Sequence, residues 1–178
     1  MSISDKINRI RHRHGFGVHS PLGFSLVKNA LWLPRGYAFY GETDIDDYPL
    51  PKRERNRWRR LLRAVAYLGL GSAVAPKDCP RHLDGVLSLA GCTLRRLSHA
   101  ECKTVSTLAQ STDMLVDLAG TCPEEEVAAF LALPGKVAVR KLTSATQPES
   151  IPGDLILLFR DRYIALSRPG MARTLYTF

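Results

Sequence analysis

Two continuous apolar runs in the second half of the chain flank a stretch with helical spacing. The runs are residues 114–119 and 136–142, and residues 123–133 between them begin with a proline and three glutamates. Acidic side chains are favoured in the first turn of a helix, because they face the positive end of its dipole. Continuous apolar runs are typical of strands that are buried on both faces. The pattern therefore predicts a strand–helix–strand crossover in a parallel sheet, and with it an α/β fold.

Further short apolar runs predict the remaining strands of this sheet. Residues 85–90 are expected to form its first strand, and residues 155–159 and 174–178 two strands that close one edge. After a helical preface of about 70 residues, roughly 110 of the 178 residues remain, fewer than sheet domains of this kind commonly have. The expected fold is a shortened Rossmann-like, mostly parallel sheet.

Basic side chains are concentrated in the first third of the chain. Residues 1–63 hold 13 Lys and Arg against 6 Asp and Glu, so they carry +7 of the net charge of +8. Apolar residues at helical spacing predict one helix over Lys52–Leu68 and an earlier one over residues 22–33. We therefore divide the chain into a basic helical extension, residues 1–70, and a sheet domain, residues 71–178.

The sequence indicates a cytoplasmic protein without a membrane span. The first residues are polar and basic, unlike a signal peptide. The longest apolar stretch, residues 64–75, is too short to cross a bilayer. The four cysteines of the chain are scattered and form no C-x-x-C pair, so we expect reduced thiols.

The most distinctive segment is residues 11–24, R-H-R-H-G-F-G-V-H-S-P-L-G-F. It resembles the N-terminal element of a bacterial family of class I SAM-dependent methyltransferase-like proteins, which opens with R-H-G-x-G-V-H-S-P-F. Residues 37–42, 61–67, 113–120 and 155–160 are similar to later parts of that family, in the same order. The resemblance implies a Rossmann-like fold and an ancestry in SAM-dependent methyl transfer.

The residues that would hold SAM depart from that family. Its members grip the cofactor with an acidic-Gly-x-Gly-type loop after the first strand. In residues 85–91, Ser88 stands where the acid is wanted and Ala90 where the first glycine would be. Ser88, Gly91 and Asp117 remain as the candidate cofactor-binding residues, Asp117 because it lies near the carboxyl end of a predicted strand, where parallel sheets form ligand crevices. We expect the SAM site to be reduced or lost, with an intact site as the alternative.

Two further features support that expectation. Only about twenty residues separate Gly91 from Asp113, too few for the usual second and third strands with their helices. The acid that would bind the ribose hydroxyls at the end of a second strand is not identifiable. The run 137–140 also ends in basic residues, where a catalytic relative would have acids.

Two small clusters offer ligand sites of other kinds. One surrounds Gly15 and Gly17 and could bind a small ligand or an anion. Alternatively, it forms only a helix cap and a turn. Its candidate residues are Arg13, His14, His19 and Ser20. The other pairs C-x-x-H with H-x-x-C and could in principle hold zinc; its residues are Cys79, His82, His99 and Cys102. The order of ligands in the second cluster is unusual, and we expect no metal.

The run from Lys52 to Arg63 has seven Lys and Arg in twelve residues around Trp58. It could bind nucleic acid or another acidic partner through phosphate contacts, with Trp58 available for stacking. Alternatively its arginines pair with acids just upstream, at Glu42, Asp44, Asp46 and Asp47.

Three functions follow from these observations. The first is a methyltransferase-like protein that has lost its SAM site and acts by binding. The second is an active SAM-dependent methyltransferase with a remodelled site, and the third is a basic nucleic-acid-binding module.

Overall fold

The architecture was taken from a computed structural model, which describes residues 21–32, 45, 48–143, 146–168 and 170–178. The helices are α1 (Pro21–Leu26), continued by a π-helical turn (Val27–Leu31), α2 (Lys52–Leu68), α3 (His82–Leu89), α4 (His99–Cys102) and α5 (Glu124–Leu131). The strands are β1 (Ser72–Pro76), β2 (Thr93–Leu97), β3 (Met114–Asp117), β4 (Val137–Lys141), β5 (Leu155–Leu158), β6 (Arg162–Leu166) and β7 (Thr174–Thr177). Short 3-10 turns lie at Val105–Leu108 and Pro148–Ser150.

The strands form one seven-stranded sheet in the order β2-β1-β3-β4-β6-β5-β7. Neighbouring strands are parallel except at β6, which runs antiparallel to both β4 and β5. The predicted α/β fold with a mostly parallel sheet is confirmed. The predicted crossover is also present, since α5 connects β3 to its parallel neighbour β4.

The helices cover both faces of the sheet. On one face α1, α2 and α3 contribute to a core that includes Leu26, Trp58 and Leu87. On the other face α5 and the Val105–Leu108 turn pack Phe130 and Val105 against the sheet. The crossovers β1–α3–β2 and β3–α5–β4 therefore use opposite faces and run in opposite directions from the adjacent strands β1 and β3. A crevice at the carboxyl ends of the strands is expected at such a point.

Helix α2 has the predicted bounds, Lys52–Leu68. Its apolar side faces the sheet, with Trp58, Leu62 and Val65 almost fully buried. The helix ends at Gly69, whose φ of 65° is in the left-handed region that glycine adopts without strain. The described part of the predicted extension thus shares one core with the sheet.

One predicted strand is wrong. Residues 85–90 belong to helix α3 and the residue after it, because Leu83, Val86 and Leu87 have helical spacing and are buried together while Ser88 is exposed. Glycine at position 85 leaves room for the Tyr48 side chain, whose hydroxyl lies 1.9 Å from the position that a Cβ would take.

Strands β1, β2 and β6 were not predicted from the sequence. Strand β1 is built of small residues, and β2 lies at the edge of the sheet with Leu97 as its buried residue. The region between Gly91 and Asp113, predicted to be too short for the usual second and third strands with their helices, holds one strand, β2, and the short helix α4.

Among the described residues, every helix falls short of the length and apolar character that crossing a bilayer would require. Four buried cysteines carry free thiols, Cys79, Cys92, Cys102 and Cys122. Burial, reinforced by the charge of Asp113, raises the pKa of Cys92 to about 11.

Candidate functional site

The carboxyl ends of β1 and β3 lie side by side at the point where the crossovers diverge. The segment after β1 is Lys77-Asp78-Cys79-Pro80-Arg81, which contains no glycine. The acidic-Gly-x-Gly-type loop that the resemblance implies is therefore absent from the position where this fold would place it.

A side chain from β2, Arg96, binds the backbone of that segment. The Arg96 guanidinium donates hydrogen bonds to the carbonyl oxygens of Pro76, Cys79 and Pro80 at 3.1, 3.0 and 2.9 Å. It also pairs with Asp84 of α3 at 2.6 Å, and this hydrogen bond, opposed by partial burial, holds the pKa of Asp84 below its usual range. The backbone carbonyls after β1 are thus bound by the protein itself.

Asp117, the last residue of β3, is fully buried. Its carboxylate accepts hydrogen bonds from the backbone N–H groups of Gly120, Thr121 and Cys122 at 2.8, 2.9 and 3.0 Å. The positive φ of Gly120, 78°, allows the chain to turn back so that these amides reach the carboxylate.

Arg140 of β4 lies beside Asp117 in the sheet register and neutralises it. The Arg140 Nε atom donates to Asp117 Oδ2 at 3.2 Å, and its Nη2 atom donates to the carbonyl of Cys122 at 2.8 Å. Glu124, at the start of α5, approaches Arg140 Nη1 at 2.8 Å. The basic end of β4 is therefore the partner of the acid that ends β3.

Two more contacts join the segments after β1 and β3. The Thr121 hydroxyl donates to Asp78 Oδ2 at 2.9 Å, and the Cys79 thiol donates to the carbonyl of Val116 at 3.4 Å. Burial raises the pKa of the Cys79 thiol, with a smaller contribution from the charge of Asp117 and opposition from backbone hydrogen bonds. The crevice between β1 and β3 is bridged by the protein's own groups.

Ser88 and Gly91 lie away from Asp117. Ser88 is exposed on α3, and Gly91 follows that helix with a φ of 73°. The turn joins the amino end of β2, where the N–H of Thr93 donates to the carbonyl of Gly71 just before β1. Gly91 and the nearby Ser88 therefore lie toward the amino ends of the strands, whereas Asp117 lies at a carboxyl end, so the three candidate cofactor residues do not form one site.

The first acid after β2 is Glu101. Its carboxylate accepts hydrogen bonds from the backbone N–H and hydroxyl of Ser98 at 2.7 and 2.8 Å, and it pairs with Arg95. These hydrogen bonds from Ser98 and Arg95 lower the pKa of Glu101 to about 2. Together with the Ser98 hydroxyl that accepts from the Glu101 N–H, they form a capping box at the start of α4.

The cluster around Gly15 and Gly17 lies outside the described residues. This applies to its four candidate residues, Arg13, His14, His19 and Ser20. It applies also to the acids expected to pair with α2, which are Glu42, Asp44, Asp46 and Asp47.

The four residues of the zinc alternative do not come together. Cys79 and Cys102 belong to cores on opposite faces of the sheet, His82 packs its ring edge against Trp58, and His99 is exposed. Within the described ranges there is no group of three or more side chains arranged to hold a metal ion.

The basic run on α2 does not present the aromatic stacking surface that the sequence predicted. Trp58 is 1% exposed and packs at right angles to His82, with ring centroids 4.3 Å apart. Arg63 is also buried. The expectation that Trp58 is available for stacking on a base is therefore wrong.

A cavity of about 360 Å³ lies between α2 and the hairpin that joins β5 to β6. It was not predicted from the sequence. The signal that could have found it is the spacing of Arg53, Arg57 and Arg60 at i, i+4 and i+7, which puts three cations on one side of α2. These residues line the cavity together with Arg160 and Arg162 of the hairpin.

Replacing Arg96 by glutamine is expected to lower the free energy of unfolding by about 2 kcal/mol, because three carbonyl oxygens lose a charged donor. Chemical denaturation measures this change. The matched control is Arg95→Gln on the neighbouring residue, whose side chain is 58% exposed and pairs with Glu101. Equal losses in the two variants would show that Arg96 has no special role in the segment after β1.

Comparisons with protein-family models, with curated proteins and with solved structures found no significant match to this chain.

Proposed function

We propose that this chain is a methyltransferase-like protein that no longer binds SAM and acts by binding another molecule. The observation that carries the proposal is the environment of Asp117, the acid at the carboxyl end of β3. Its two carboxylate oxygens are engaged by three backbone amides and Arg140, and its side chain is fully buried. A carboxylate held in this way has no oxygen exposed to a ligand.

The other elements of a SAM site also do not fit the cofactor. To bind the amino-acid part of SAM, the backbone amides after β1 would have to approach it closely. Such an approach requires glycine, and the segment 77–81 has none. Arg96 already binds the carbonyl oxygens of Pro76, Cys79 and Pro80 along this segment. Glu101, the first acid after β2, holds the N-terminus of α4 and not a ribose.

A binding role is favoured because the fold retains a cavity elsewhere. The cavity beside α2 lies near the carboxyl ends of β4, β5 and β7, the edge at which parallel α/β sheets hold their ligands. Five arginines line it. The same edge thus carries both the closed crevice and an open, charged cavity.

Titration of the full chain with SAM and with S-adenosylhomocysteine, followed by calorimetry, tests the proposal. We expect no saturable binding of either compound at millimolar concentration. The matched variant is Thr121→Val, which removes the hydrogen bond to Asp78 that bridges the crevice. We expect no binding there either, because Asp117 and Arg96 remain in place. A dissociation constant in the micromolar range for the unaltered chain would contradict the proposal and favour an active methyltransferase with a remodelled site.

A further inference from the structure

The cavity beside α2 is rich in positive charge. Three of its arginines come from α2, at positions 53, 57 and 60, and two from the β5–β6 hairpin, at positions 160 and 162. Asp161 is the one acid among the described residues that line it. Glu54, next to the cavity, also pairs with Arg57, so five guanidinium charges less two carboxylate charges leave +3, more than a single carboxylate ligand could neutralise.

Asp161 links the two sources of arginine. Its Oδ2 atom lies 3.0 Å from Arg57 Nη2 and 3.2 Å from Arg162 Nη2. Burial alone would raise the pKa of Asp161, but the hydrogen bond from Arg162 and the charges of Arg162 and Arg57 outweigh it and lower the pKa. Asp161 therefore stays ionised and holds the hairpin against α2, so the arginines are positioned before any ligand arrives.

Some hydrogen-bond donors and charges of the cavity arginines have no partner among the described residues. The Nε atom of Arg162 is buried and has no acceptor among the described residues. Arg53 and Arg160 are exposed, and neither forms an ion pair with another described residue. A buried guanidinium N–H without an acceptor is costly, and an anionic oxygen in the cavity would remove that cost.

Apart from Asn56, the rest of the cavity wall is apolar and aromatic. The Phe159 and Phe178 rings are stacked with their centroids 5.5 Å apart, and the Trp32 ring lies 6.4 Å from Phe178. Val139 and Ile164, which pair across β4 and β6, lie beneath them. Such a wall suits a planar or apolar group, whereas the arginines suit a phosphate, whose oxygens match the guanidinium fork.

We infer that this cavity binds a small phosphorylated molecule with a ring, of the size of a mononucleotide. The arginines of α2 and of the hairpin hold the phosphate, and the ring lies against the Phe159 and Phe178 wall. A volume of about 360 Å³ is near the lower end of the roughly 300–1,000 Å³ found for ligand pockets. It suits one nucleotide unit better than a nucleic-acid chain, which needs an extended groove. This inference gives the binding role proposed above a ligand class.

Calorimetric titration of the full chain with the four nucleoside monophosphates and ribose 5-phosphate tests this inference. We expect at least one nucleoside monophosphate to bind, more tightly than inorganic phosphate, and its unphosphorylated nucleoside not to bind. Affinity should fall as salt is added, because the arginines attract the phosphate through charge.

Three variants connect binding to the cavity. The double substitution Arg53→Gln/Arg160→Gln removes two exposed charges without breaking an ion pair between described residues, and it should weaken binding at least about 10-fold. Arg162→Gln should weaken binding by a similar factor. The matched control is Arg81→Gln, an exposed arginine outside the cavity, which should leave the affinity unchanged.

The outcomes separate this inference from the proposed function. Failure of every phosphorylated probe to bind, or binding that the Arg53→Gln/Arg160→Gln variant leaves unchanged, would overturn the inference. Binding of an RNA oligonucleotide without any mononucleotide would overturn it too, in favour of a nucleic-acid surface. Binding of S-adenosylhomocysteine, measured in the same series, would instead contradict the loss of the SAM site.

Discussion

Replacing Asp117 by alanine is expected to lower the free energy of unfolding by about 3–5 kcal/mol, because the buried Arg140 charge loses its buried partner and keeps only the exposed Glu124 as an ion-pair partner. Arg140 is 5% exposed at its side chain, so water can do little to compensate. The backbone N–H groups of Gly120, Thr121 and Cys122 lose their acceptor at the same time. Urea denaturation followed by circular dichroism measures the change.

A double-mutant cycle measures how much of the lost free energy of unfolding comes from the Asp117–Arg140 interaction. With Arg140→Met already in place, Asp117→Ala should cost less than it does alone, since no buried arginine charge is left behind. The surface comparison is Asp84→Ala, which removes a carboxylate with 52% side-chain exposure and should cost about 1 kcal/mol or less. If Asp117→Ala costs no more than Asp84→Ala, Asp117 does not hold this edge of the sheet together.

Replacing Trp58 by alanine is expected to cost about 3–5 kcal/mol of unfolding free energy, as for other buried large-to-small changes. Trp58 joins α2 to α3 through its contact with His82, and both helices pack on the same face of the sheet. Circular dichroism is the suitable readout, because fluorescence would change with the loss of the indole itself.

Trp58→Phe is the conservative control for this position. It keeps an aromatic ring against His82 and should recover more than half of the stability lost in Trp58→Ala. A stable Trp58→Ala variant with weakened RNA binding would contradict the buried position and support a stacking role on a nucleic acid.

Sequence reasoning predicted the elements whose apolar spacing is regular and long. Helix α2 and the unit β3–α5–β4 are examples, because each buries a complete stripe or face. The prediction at α3 was wrong, because the run of residues 85–90, six residues with one glycine and one serine, is compatible with a strand or a helix. Strands β1 and β2 were not predicted, because their small or charged side chains give no strand pattern. Their positions depend on tertiary pairing, which local spacing does not contain.

The same limit applies to the candidate site. Asp117 was singled out from the sequence as a candidate cofactor-binding acid near the carboxyl end of a predicted strand, and it is the last residue of β3. Whether it faces a ligand or an internal partner depends on Arg140, which is 23 residues away and becomes its neighbour through the β3–β4 register. The arginine cavity likewise requires the β5–β6 hairpin, and strand β6 was missed. Contacts between distant segments decided both questions.

The reversed direction of β6 affects how freely the cavity could change in evolution. Because β6 returns antiparallel to β5, residues 159–161 form a tight turn between two paired strands, where a parallel successor would need a long crossover. Surface turns accept substitutions and insertions more readily than the elements they connect. Phe159 packs against a core and Asp161 holds the hairpin against α2, so Arg160 is the position of this turn at which charge and shape can vary most freely. For the ligand binding that we infer, divergence in ligand preference among descendants of this chain is expected first at this residue.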